Sequence, residues 1–79
     1  MNDIKNSEIS YHIQKKYKSD KDRNIMIDRF IKGLTYNEIL KKTYSHFEEL
    51  PDLTKMRLEK DLRNKCKRFS LYLMKEVIK

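Results

Sequence analysis

The single glycine of this chain is followed by the most clearly marked helix start in the sequence. Gly33 lies where a left-handed C-cap would end one helix. Directly after it, Thr35 and Glu38 have the spacing of a capping box, and Leu34 with Ile39 has the spacing of a hydrophobic staple. These residues predict a tight joint between two helices, which is one half of a helix-turn-helix unit.

Little else in the chain would interrupt a helix, since its 79 residues contain one glycine and one proline. We therefore predict one all-α domain over residues 1–79, a small bundle of four to five helices with a helix-turn-helix-like joint and a long C-terminal helix. Residues 1–6 are expected to be disordered. A chain of this size buries only about 60% of its unfolded surface, so binding to a partner or a second copy would add stability that it needs.

Apolar spacing predicts the first two helices. The first begins at Asn6 or Ser7 and carries an apolar stripe, and the second begins at Ser19, which with Asp22 has capping-box spacing, and ends at Gly33.

The segment between the joint and the last helix has two interpretations. Ser45 and Glu48 again have capping-box spacing, so residues 45–50 form a short helix that Pro51 ends, or else a loop. Asp52 or Thr54 would cap the last helix.

The last helix is predicted to run to about Ile78 with two distinct faces. An apolar stripe repeats every three or four residues, at Leu58, Leu62, Cys66, Phe69, Leu73 and Val77. Basic residues occupy the other side, at Arg57, Lys60, Arg63, Lys67 and Arg68. Glu59 with Arg63, and Asp61 with Lys65, have the spacing of favourable ion pairs.

Most of the positive charge lies in this last third of the chain. Residues 54–79 contain nine Lys and Arg against three Asp and Glu, a balance of +6 out of a total of +7. Such concentration is typical of proteins that bind a phosphate backbone, and an acidic protein partner would select it too.

No catalytic motif is present. His12 and His46 fall in no metal-binding or nucleophile pattern, and Cys66 belongs to the apolar stripe, where a buried thiol acts as a small hydrophobe. We expect no enzymatic activity, no metal and no cofactor. A single cysteine suits a reducing cytosol, and the absence of a long apolar run argues against a membrane span, so we expect a cytoplasmic protein.

Two stretches resemble one family of regulators. Residues 28–43, which contain Gly33, Leu34, Thr35 and the Glu38-Ile39 pair, resemble the first part of the helix-turn-helix in regulators of the sigma-factor region 4 type. Residues 53–73, where a basic helix runs into Phe69-Ser70-Leu71-Tyr72-Leu73, look like the last helix of the phage ArpU/RinA-type members of that group. The resemblance implies a small helical DNA-binding regulator from a phage or mobile element.

The chain departs from the family pattern after the joint. Leu40 and Tyr44 stand where a small residue and a glycine are usual, and a strict register would place Pro51 inside the recognition helix. Either residues 45–52 are an inserted connection and the recognition helix begins near Thr54, or the fold only imitates the pattern.

An inserted connection would define a DNA-binding surface. Lys55, Arg57, Lys60 and Arg63 would lie near the groove, and phosphate contacts would come from Lys67 and Arg68. The backbone N–H groups at the start of the helix, near Thr54, would add a phosphate contact. The competing interpretation of the same residues is the solvated face of a long helix.

Our first hypothesis is a DNA-binding transcriptional regulator whose partner is double-stranded DNA. If it binds as a homodimer, the interface is expected at the apolar end of the last helix, at Leu71, Tyr72, Met74 and Ile78. The alternative is a non-enzymatic interaction module, an inhibitor or anti-factor, that docks this C-terminal surface onto an acidic host protein. A membrane-surface helix is disfavoured by Asp61 and Glu76.

Overall fold

The structure is a computed structural model that describes residues 5–76. Four α-helices follow one another: α1 (Asn6–Lys16), α2 (Asp20–Phe30), α3 (Tyr36–Thr43) and α4 (Asp52–Glu76), with a 3-10 helix at Phe47–Glu49 between α3 and α4. Residues 5–76 form no strand. The prediction of an all-α bundle with a long C-terminal helix is confirmed.

The two ends of the chain limit what can be compared with the predictions. Helix α1 already begins at Asn6, within the stretch expected to be disordered, whereas residues 1–4 lie outside the described residues. The predicted last turn of α4, with Val77 and Ile78, also lies outside them.

The joint between α2 and α3 has the predicted geometry. Gly33 has a φ of 74°, in the left-handed region expected of a glycine that ends a helix, and the Leu34 N–H donates to the Asp28 carbonyl six residues back at 2.9 Å. Both bonds of the capping box form: the Thr35 N–H donates to Glu38 Oε1 at 2.9 Å, and the Glu38 N–H donates to Thr35 Oγ1 at 3.1 Å. The bond from the Thr35 N–H lowers the pKa of the Glu38 carboxyl.

A buried carboxylate, which the sequence did not reveal, ties α2 to α3 beside this joint. Asp28 is 3% exposed, yet its Oδ1 lies 3.1 Å from the Nζ of Lys42 on α3 and 3.8 Å from the Nζ of Lys32. Since a buried charge is costly unless it is paired, these two lysines make the burial of Asp28 tolerable.

The other two predicted capping boxes are wrong. Ser19 does precede α2, but its side chain accepts no hydrogen bond from the helix, and the Asp22 carboxylate pairs with Lys65 of α4 and not with the Ser19 N–H. In the third case the 3-10 helix begins after His46, without a side-chain cap, and Glu48 pairs with Lys41 at 3.5 Å.

The connection before α4 combines both interpretations of residues 45–52. It is a loop that contains one short 3-10 helix, and α4 begins at Asp52, where the Lys55 N–H donates to the Pro51 carbonyl at 3.0 Å. Of the two ion pairs predicted within α4, the one between Glu59 and Arg63 is confirmed, with Arg63 Nη2 3.7 Å from Glu59 Oε1. The pair between Asp61 and Lys65 is wrong, since Lys65 instead binds Asp22.

Phe69 of α4 is at the centre of the core. It is fully buried, and its ring contacts those of Tyr17, Phe30 and Tyr72 at centroid distances of 5.6, 5.0 and 5.9 Å. The predicted apolar stripe of α4 is confirmed, with these residues buried and Leu58 half-buried: Leu62, Cys66, Phe69 and Leu73. Residues of α1, α2 and α3 complete the core: Ile9, Ile13, Ile25, Met26, Ile39 and Leu40.

Helix α4 is long enough for a lipid bilayer but too polar to cross one. Within residues 5–76, no helix combines the length and the apolar character that a membrane span requires.

Replacing Gly33 should test the joint without a steric clash. A Cβ at this position would meet nothing within 4 Å, so the cost of Gly33→Ala is conformational. We expect the free energy of unfolding to fall by about 1–2 kcal/mol in urea titrations followed by circular dichroism. Gly33→Asn is the matched control, because Asn tolerates the left-handed region, and it should lose clearly less. Equal stability of wild type and Gly33→Ala would contradict the assigned backbone geometry.

Candidate nucleic-acid interface

The side of α4 that points away from the core forms one exposed surface, which we call the outer face. At 100° per residue its members lie within about 60° of one line along the helix, opposite the buried stripe. All are exposed: Leu53, Met56, Arg57, Lys60, Asn64, Lys67, Arg68, Leu71, Met74 and Lys75.

No acidic residue belongs to the outer face, and its cations are not neutralised. Arg57, Lys60, Lys67 and Arg68 form no ion pair within residues 5–76. Elsewhere in the described residues some lysines are paired with carboxylates, as Lys32, Lys41, Lys42 and Lys65 are, and others, such as Lys15, Lys18 and Lys21, are not. What distinguishes the outer face is that its cations form a row along one helix with no carboxylate among them.

This arrangement is unfavourable for the helix itself. Arg57 and Lys60 are like charges three residues apart, and such a pair costs roughly 0.2–0.5 kcal/mol. A row of charges that opposes local stability, and that the fold does not use, is typical of a binding surface.

Apolar side chains flank the cations at both ends of the outer face. Leu53 is 70% and Met56 66% exposed at the start of α4, and Leu71 is 52% and Met74 54% exposed near its end. Each pair is separated from its counterpart by 18 residues, which is five helical turns and about 27 Å, so the two pairs share the same orientation around the helix.

Three of the predicted DNA-binding residues lie off the outer face. Thr54 is exposed in the first turn of α4 but points about 100° away from Leu53. Lys55 lies on the inner side, with its Nζ 5.7 Å from the centroid of the Phe47 ring. Arg63 lies on one flank, between Glu59 and the aromatic ring of Tyr36.

The fold adds residues that the sequence did not single out. The Cζ of Arg29, near the end of α2, lies 4.2 Å from the Tyr36 ring centroid, and the Cζ of Arg63 lies 5.6 Å from it. Arg29 also donates from Nη1 to the Leu34 carbonyl at 3.0 Å. Asn64, at the middle of the outer face, could have been found from its helical spacing alone; Arg29 and Tyr36 could not, since tertiary packing brings them to α4.

The residues predicted for a dimer interface fall into different environments. Leu71 and Met74 are exposed on the outer face, whereas Tyr72 is half-buried: its ring stacks on Phe69 and its hydroxyl lies 3.2 Å from His12 Nδ1. Tyr72 therefore belongs largely to the core packing of α1 against α4. Ile78 lies outside the described residues.

The titratable groups of the described chain form no reactive cluster. No group of three His, Cys, Asp or Glu side chains within residues 5–76 is arranged to bind a metal ion. Burial raises the pKa of the Cys66 thiol, more than the nearby charges of Arg29 and Lys65 lower it, so at neutral pH the thiol stays protonated.

Comparison of the chain with protein-family models, with curated proteins and with solved structures finds no match. The outer face and its flank are therefore defined by the geometry of this chain alone.

The raised pKa of Cys66 predicts a pH dependence of stability. Above about pH 8.5 the thiol ionises in the unfolded chain but stays protonated in the folded one, so the unfolded state binds fewer protons and stability falls as pH rises. Urea unfolding between pH 7 and 10 should show this decline. The free energy of unfolding of Cys66→Ala should decline less steeply than that of wild type above pH 8.5 and run parallel to it below pH 8.5. Identical slopes of the two proteins above pH 8.5 would contradict the burial of the thiol.

Proposed function

We propose that this protein binds double-stranded DNA through the outer face of α4. The observation that carries the proposal is the row of exposed, unpaired cations on one helix surface that contains no carboxylate. Phosphates neutralised by such a row release counterions, which drives association with a polyanion.

The dimensions of α4 suit a major groove. An α-helix with its side chains is about 10–12 Å wide, and the groove of B-DNA is about 12 Å wide. Asn64 at the middle of the outer face has the side chain that reads adenine. Lys67 and Arg68 would then contact phosphates further along α4.

A role in transcription is part of the proposal because of the resemblance of residues 28–43 and 53–73 to sigma-factor region 4-type regulators. The joint at Gly33 and the capping box at Thr35, which carry that resemblance, are both formed in the fold. An origin in a phage or mobile element rests on the resemblance alone.

Removing two outer-face cations should weaken DNA binding without unfolding the protein. If Arg57 and Lys60 each contact one phosphate, the double variant to Ala should make the dependence of log Kobs on log salt concentration less steep by about 1.8. Fluorescence anisotropy with a labelled duplex across a salt series measures this slope. The free energy of unfolding should stay within about 0.5 kcal/mol of wild type, because both side chains are exposed.

Lys21→Ala provides a matched control for that experiment. Lys21 lines a crevice with Leu58, Asp61 and Lys65, on the side of α4 away from the cations, so this variant removes a charge without touching the outer face. Its slope should equal that of wild type. An unchanged slope for the Arg57/Lys60 variant, or no binding of wild type to DNA at low salt, would contradict the proposal.

The exposed apolar pairs favour a second candidate function, the docking of an acidic protein partner. Leu53 with Met56, and Leu71 with Met74, would be its apolar anchors on either side of the cations. DNA offers these four side chains far less apolar surface to pack against than a protein would.

The two functions respond differently to the loss of an apolar pair. If the protein docks an acidic partner, the double variant Leu71→Ala and Met74→Ala should abolish capture of that partner by the tagged protein from a nuclease-treated cell lysate. The affinity of the variant for duplex DNA should stay unchanged, because no cation is lost. Tyr72 is unsuitable for this test, since its truncation would disturb the core. Retained capture by the double variant would exclude the anchor role.

A further inference from the structure

A cleft beside the outer face combines cationic, aromatic and hydroxyl groups from three helices. Its volume is about 310 Å³, and it lies between the α2–α3 joint and the middle of α4. The side chains that carry its chemistry are Arg29, Tyr36, Arg63, Lys67 and Ser70.

The charge of this cleft distinguishes it from the other crevices of the described residues. None of the residues that line it is acidic. Four other crevices each include at least one carboxylate, from Asp22, Asp61, Glu48, Glu49 or Glu59. Within residues 5–76, Glu59 is the one carboxylate that forms an ion pair with a basic residue of the cleft: it binds Arg63 and lies outside the cleft.

The guanidinium groups are held near one another by the fold. From their distances to the Tyr36 ring, the Cζ atoms of Arg29 and Arg63 are no more than about 10 Å apart, comparable to the Debye length of about 8–10 Å in physiological salt. Salt therefore only partly screens their repulsion, and an anion between them would relieve it.

Arg29 is also fixed in place before any ligand arrives. Its Nη1 donates to the Leu34 carbonyl, and its Cζ lies 4.2 Å from the ring centroid of Tyr36, the first residue of the helix that the capping box begins. One of its five N–H donors is used in this way, which leaves four for a ligand. Because the side chain is already ordered, binding costs little further entropy.

We propose that this cleft binds one phosphate group, and that in the complex with DNA this is a backbone phosphate next to the groove occupied by the outer face. The assignment to DNA rests on the proposed function; the phosphate chemistry rests on the cleft itself. Arg29 and Lys67 contact the phosphate oxygens from α2 and α4, with the Ser70 hydroxyl as an additional donor.

The salt series tests the contact directly. Arg29→Ala should weaken duplex binding about tenfold and make the salt dependence less steep by about 0.9, the value for one phosphate. Lys21→Ala, on the opposite side of α4, should change neither. An Arg29→Ala slope equal to that of a wild type that does bind DNA would overturn the assignment of the cleft to a DNA phosphate.

Coupling between variants tests whether Arg29 and Lys67 share one phosphate. The double variant of Arg29 and Lys67 should then weaken binding by clearly less than the product of the two single fold-changes. Arg29 with Arg57 should give the full product, because Arg57 lies ten residues, or about 15 Å, from Lys67 along α4. Full multiplication for both pairs would overturn the shared site. If Arg29→Ala loses the wild-type circular dichroism spectrum, a cycle of Lys67→Ala and Ser70→Ala tests instead whether these two residues of the cleft share one phosphate, and full multiplication there would overturn the shared site.

A second experiment distinguishes binding of free phosphate by the cleft from binding of a DNA phosphate. Sodium phosphate at constant ionic strength should raise the melting temperature of wild type above that in chloride, and Arg29→Lys, which keeps the charge but loses the planar fork, should show a smaller rise. No rise in wild type, together with an unchanged Arg29→Ala slope, would overturn the cleft as a phosphate site. A rise in a protein that does not bind duplex would support the phosphate site and overturn both its assignment to DNA and the proposed function.

Discussion

The left-handed backbone of Gly33 determines how α2 connects to α3, and several other contacts depend on it. With the chain turned at that point, the Leu34 carbonyl accepts a hydrogen bond from Arg29, and the buried carboxylate of Asp28 reaches Lys42 on α3. The same turn lets the capping box start α3 with Tyr36 against Arg29. One glycine thus positions the core of the bundle and the flank of the candidate site together.

The two sides of helix α4 have opposite effects on stability. Its inner side buries Phe69 and the rest of the apolar stripe, which supplies the free energy that stabilises the bundle. Its outer side carries like charges that oppose helix formation by a few tenths of a kcal/mol per pair. The fold tolerates this because the apolar contribution of the inner side is far larger than the repulsion.

Helical periodicity revealed the parts of the structure that depend on local order along the chain. The buried stripe of α4, the basic side opposite it and the joint at Gly33 all follow from spacing. The capping-box spacing was right once in three cases, because local spacing does not show which carboxylates a distant lysine will attract. Asp22 pairs with Lys65 across 43 positions, and no local pattern contains that information. The cleft escaped sequence analysis for the same reason, since Arg29 and Arg63 meet only around Tyr36 in the folded chain.

The continuous length of α4 has a further consequence. The described residues extend 42 Å along their longest axis, and α4 accounts for about 37 Å of that as a single rod without glycine or proline. A continuous helix of this kind fixes the distances between its side chains. Because it does not bend to suit a partner, the partner must match the spacing that the helix presents. In the proposed complex with DNA, the phosphates and bases would therefore have to match the spacing of the side chains along the outer face.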